Sequence, residues 1–96
     1  MAKRPVHPGE VLYHDVLEPM GLSANKLAHH LRVPANRISA IIAGKRAVTA
    51  DTALRLARYL GTSPEFWLGM QAEFDLDTTR RANAKRIDRE VRPLPA

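Results

Sequence analysis

A chain of 96 residues has room for one domain and one modest core. Its 45% hydrophobic and 26% charged content is that of an ordinary globular protein, no apolar run reaches the length of a membrane span, and the absence of cysteine excludes disulfides and thiolate metal sites. The net charge of +5 is unevenly spread: residues 19–50 hold Lys26, Arg32, Arg37, Lys45 and Arg46 and no acid, the charge pattern of a surface that faces a polyanion.

The opening "MAKRPVHPGE" is basic but lacks the apolar core of a signal peptide, so a cytoplasmic location is expected, with residues 1–8 as an N-terminal arm. Strand signals are almost missing, and five helices can be placed in turn. The first is expected over about Gly9–Glu18, started near Pro8 and ended by Pro19 and Gly21, with Val11, Leu12, Val16 and Leu17 as its apolar stripe. Ser23 is a natural cap for the second, about 24–31, whose Leu27, Ala28 and Leu31 recur at helical spacing. Pro34 removes a donor and disfavours helix at Val33, which ends the second helix and begins a third over about 34–43, closed by Gly44.

Thr49 caps the fourth helix, with Ala53, Leu56, Ala57 and Leu60 inward, and Gly61 ends it. Ser63, Pro64 and Glu65 start a fifth, "PEFWLGMQAEFDL". The helical unit is taken as residues 9–78. Beyond it, 79–96 form a basic tail whose composition fits either a charged helix or a disordered arm, with a disordered solubilising end first on composition.

Two short helices joined by a tight turn and backed by further helices fit a helix-turn-helix. At about 100° per residue, Ile41 and Ile42 share the inner face of the third helix with Ile38, while Asn36, Ala40 and Ala43 lie opposite, flanked by Arg37 and Ser39. That outer face suits a DNA major groove. Asn36 offers one donor and one acceptor to adenine, Arg37 can fork onto guanine or reach a phosphate, and Ser39, Ala40 and Ala43 permit close approach. Lys26, Lys45 and Arg46 are placed to hold phosphates, with Asn25 and the free N–H groups opening the second helix. The alternative is a polar face that serves solubility alone.

The segments "HPGEVLYHDVLEPMGLS", "ADTALRLA" and "SPEFWL" resemble the HigA/VapI group of antitoxins, within the lambda-repressor-like (XRE) helix-turn-helix class, over residues 7–76. The resemblance implies an all-α, five-helix lambda-repressor-like DNA-binding domain. It also implies a dimer that represses its own promoter and neutralises a HigB-type mRNA-cleaving toxin. Two positions depart from the family pattern. Arg32 stands where the turn usually has glycine, and Ala24 stands where many relatives have a glutamine that clamps phosphate. A left-handed turn at Arg32 would cost about 1 kcal/mol relative to glycine.

Other chemistries find little support. His29 and His30 are adjacent and diverge by about 100° on a helix, and His7 and His14 straddle a Pro-Gly break, so no metal or other cofactor is expected. Ser23, Ser39 and Ser63 lack a nucleophile-elbow context, and the acids of "EFDLD" fit a solvated helix end, so the chain is not read as an enzyme. The fifth helix carries more apolar surface than one core face needs. Phe66, Leu68, Met70 and Phe74 are therefore candidates for a homodimer seam, with wholly intramolecular packing as the alternative. Dimerisation, toxin contact or DNA contact are open roles for the basic tail of 79–96, beside the disordered solubilising end that its composition puts first. The rivals to an antitoxin that binds operator DNA and a toxin are a solitary regulator and a helix-turn-helix scaffold used only for protein contacts. No membrane partner is expected.

Overall fold

A computed structural model describes residues 4–95. Among these the architecture is all-helical: α1 (Pro8–Val11), a π-helical segment (Leu12–Leu17) and α2 (Glu18–Met20) form one rod, followed by α3 (Ala24–Leu31), α4 (Ala35–Ile42), α5 (Ala50–Leu60) and α6 (Pro64–Glu90). The expected second, third, fourth and fifth helices are α3 to α6.

The first rod starts on a capping box. The His7 ring nitrogen Nδ1 accepts the Gly9 N–H at 2.9 Å, and the Glu10 carboxylate accepts the His7 N–H at 3.3 Å. Pro19 does not end this rod, as the sequence suggested it would; it lies in the last turn, and Gly21, in the left-handed conformation, closes it. A proline inside a helix clashes with the carbonyl four residues back. Here the wide π turn, in which the Glu18 N–H reaches the Tyr13 carbonyl five residues back, gives the ring that space.

Ser23, Thr49 and Ser63 cap α3, α5 and α6 through their hydroxyls. α3 has the expected span, and its closing residue is Arg32, ahead of Pro34. At φ 60°, Arg32 is the one non-glycine residue with positive φ among those described. Its N–H bonds to the His29 carbonyl and the Val33 N–H to the Ala28 carbonyl, a Schellman closure that turns the chain sharply into α4. Pro34 sits just before the first turn of α4 in an extended conformation.

The core gathers the inward stripes of every rod: Leu12 and Leu17, then Leu27, Ala28 and Leu31 from α3, Ile38 and Ile41 from α4, Ala53 and Leu56 from α5, and Trp67 from α6. Trp67 also donates its indole N–H to the Thr62 hydroxyl at 2.9 Å. Gln71, buried on α6, accepts the Val48 N–H at 2.8 Å and so fixes the strand of loop that leads into α5.

The largest difference from the sequence reading lies at the boundary drawn at residue 78. No interruption occurs there; α6 runs for 27 residues to Glu90, about 40 Å at 1.5 Å per residue. Between Gly69 and Pro93 the sequence has neither glycine nor proline. Pairs one turn apart, Asp77–Arg81 and Arg86–Glu90, add support along the solvated half. Only residues 91–95 leave the helix, and the body measures 52 by 27 by 22 Å.

Candidate nucleic-acid interface

The inner face of α4 is fixed by Ile38 and Ile41, both fully buried. That anchoring turns Asn36, Ser39 and Ala43 to solvent, with Ala40 half-buried between them. The Ser39 hydroxyl donates back to the Ala35 carbonyl at 3.3 Å or to that of Asn36 at 3.4 Å, so its oxygen lone pairs remain to face a ligand. The outward ridge thus offers one amide, one hydroxyl and small methyl groups.

Basic residues frame this ridge. Lys45 and Arg46 are exposed just beyond Gly44, whose φ of 74° reverses the chain at the end of α4. Asn25 and Lys26 are exposed in the first turn of α3. Ser23 satisfies the Lys26 N–H at 3.1 Å, which leaves the N–H groups of Ala24 and Asn25 without an intrahelical carbonyl. A concave patch lined by Tyr13, Ser23, Ala24, Ser39 and Ile42 joins that helix start to the α4 ridge. Tyr13, at the wide turn of the first rod, was not singled out from the sequence.

Arg37 flanks the ridge as expected, but its guanidinium is already engaged. It sits on the side of α4 that turns toward α5, half-buried, and its Nη1 donates to Asp51 Oδ2 at 2.7 Å. The same oxygen accepts from Arg55 Nε at 3.0 Å, and Arg55 Nη1 donates to the Leu31 carbonyl at 2.9 Å. Hydrogen bonding from Arg37, then from Arg55, holds the Asp51 carboxyl below the usual carboxylate range. In this arrangement the Arg37 guanidinium is an internal tie rather than a free fork for guanine. Only the Asp51–Arg55 spacing of four residues was visible in the sequence; the partner 14 residues away was not.

The four residues named for a dimer seam are not alike. Leu68 and Met70 are partly buried against the core, and Phe74 packs edge-on against the His7 ring at 4.9 Å between centroids. Phe66 is exposed. Farther along α6, Leu76 and Ile87 are also exposed, at 52% and 44%, and with Asn83 they fall on one stripe of the helix. The histidines find local roles: His7 in the cap, His14 beside Glu18 at 2.8 Å, and His30 stacked on Tyr59 at 5.0 Å. Among the described residues no group of three or more histidines and acids is placed to hold a metal.

Comparison with known proteins places this geometry. The Helix-turn-helix family profile matches residues 14–67, from the middle of the first rod through Trp67. Virulence-associated protein I of Dichelobacter nodosus is 52% identical over 71 residues, which is 74% of this chain and 66% of that relative. The chain thus spans just under two thirds of that relative's length. Antitoxin HigA-1 of Vibrio cholerae is 45% identical over 78 residues, 81% of this chain and 73% of its own. The structure of Pseudomonas aeruginosa antitoxin HigA with the higBA promoter superimposes with a TM-score of 0.92 at 41% identity, covering 96% of this chain and all of that one.

Proposed function

The chain belongs to the helix-turn-helix family of HigA-type antitoxins, and from that premise we propose that it is a DNA-binding antitoxin that represses its own operon and neutralises a HigB-type mRNA-cleaving toxin. The observation that carries the reading is the exposed ridge of α4, polar and small-sided, framed by an acid-free basic block. A relative of the same fold and 41% identity is solved with promoter DNA. Asn36, Ser39, Ala40 and Ala43 face base edges, while Asn25, Lys26, Lys45 and Arg46 hold the backbone.

Binding is as a homodimer, with α4 of each copy entering successive major grooves about 34 Å apart. The exposed stripe of α6 around Leu76 and Ile87, rather than Leu68 and Met70, supplies apolar surface for the pairing. The role is that of a cytoplasmic binding protein with no catalytic step. Among the described residues no helix is long and apolar enough to cross a membrane.

Co-expression of the chain with the product of its adjacent small reading frame tests the antitoxin half. Co-purification, together with relief of growth arrest, is the expected result. A neighbour that is neither toxic nor retained would leave a solitary regulator, since the DNA-binding half stands on the α4 ridge and its basic frame.

A further inference from the structure

Arg37 lies beside Asn36 on the helix that faces DNA, yet its charge is directed into the protein. One oxygen of Asp51 accepts from both Arg37, at 2.7 Å, and Arg55, at 3.0 Å. Arg55 is itself anchored on the Leu31 carbonyl, where α3 ends. The carboxylate is therefore braced from behind, and it ties the start of α5 to α4 and to the end of α3. The Arg37 side chain is only 24% exposed, and its Nε is buried with no protein acceptor. Such a group stays in place only while the rest of the guanidinium is held.

An arginine on the flank of a recognition helix has an obvious competing partner in the nearest phosphate. A phosphate contact adds affinity for every sequence alike and none for a particular one. Exposed ion pairs alone resist such competition poorly. Here the second guanidinium fixes the carboxylate, so Arg37 meets an acceptor already in position.

We propose that Asp51 is a specificity-determining positioning residue for operator recognition: it holds Arg37 against α5 and keeps that cation off the DNA backbone. Discrimination then rests on the short side chains of the α4 ridge. This inference rests on the operator-binding reading above, and its test separates the two.

The test measures affinity for the chain's own promoter fragment and for scrambled DNA between 50 and 200 mM salt. It compares the parent with Asp51→Ala and two charge-matched double variants, Asp51→Ala with Arg37→Met and Asp51→Ala with Arg58→Met. Freed Arg37 gains one phosphate, so Asp51→Ala should lose about 3.5-fold more affinity than the parent over that salt range, a slope steeper by about 0.9. Its preference for promoter over scrambled DNA should also shrink. The double with Arg37→Met should return to the parental slope, while the double with Arg58→Met keeps the steeper one. A parental slope in Asp51→Ala, or two doubles that behave alike, would overturn the inference and leave operator binding intact. A parent with no preference for its promoter would overturn both.

Discussion

Gly9 lies so close to the backbone of Ile41 that a methyl group in place of its hydrogen would overlap the Ile41 carbonyl oxygen. The contact joins the first turn of α1 to the far end of the helix proposed to read DNA. It explains why a glycine follows Pro8 at a position where the backbone needs no unusual φ. The neighbouring atoms are backbone and cannot swing aside. Gly9→Ala should therefore destabilise the fold by about 1–3 kcal/mol through overpacking. Thermal unfolding reads this directly, at roughly 4–8 °C per kcal/mol for a chain of this size.

Arg32 offers the opposite sign. Its φ of 60° is easy for glycine and strained for arginine, and the turn depends on it because the Schellman bonds of Arg32 and Val33 form only there. Arg32→Gly should raise stability by about 1 kcal/mol, seen as a higher melting temperature. An unchanged or lower value would show that the Arg32 side chain repays its backbone strain by contacts of its own.

Much of the frame is legible in the residues themselves. Ser23, Thr49 and Ser63 mark three helix starts because a hydroxyl there takes up a free N–H. Gly44 and Gly61 mark two ends because glycine adopts positive φ easily. The inward and outward faces of α4 follow from the spacing of Ile38 and Ile41. Three features escape that kind of reading. Pro19 is tolerated because a π turn relieves its clash, a compensation no local rule foretells. The α6 extension was hidden because a basic segment with few apolar residues reads alike as arm or helix. It is helical because nothing breaks it and its charges pair one turn apart. The Arg37–Asp51 tie escapes it because the partner comes from another helix, 14 residues away.

Acid should weaken the fold through the cap of α1. His7 is buried with its Nδ1 accepting the Gly9 N–H, which requires the neutral ring. Burial lowers its pKa below 6.5, against the opposing pull of Asp75, Glu10 and the Arg46 backbone. A base whose folded pKa is depressed contributes fully above its unfolded value, and the contribution fades as pH falls below about 6.5. Glu10, held at about 2 by Arg4, fades only between its ordinary 4.5 and that value. The melting temperature should thus decline between pH 7 and 5.5. His7→Asn, a capping residue that does not titrate, should remove that decline while leaving the loss at lower pH.

The residues proposed to face DNA separate into two kinds. Asn36→Ala should cost about 1–3 kcal/mol on the promoter and relax preference at one base pair, with little effect on scrambled DNA. Lys45→Ala should weaken all sequences to a similar degree and flatten the salt slope by about 1. Equal losses from both changes on both DNAs would contradict the division between ridge and rim.

The most direct measurement is a competition gel shift of the parent chain with the DNA upstream of its own gene, carried out beside Asn36→Ala. The expected result is a retarded complex that survives excess scrambled competitor and is weakened when Asn36 is truncated. Retardation that scrambled DNA abolishes equally, or that Asn36→Ala leaves untouched, would contradict it.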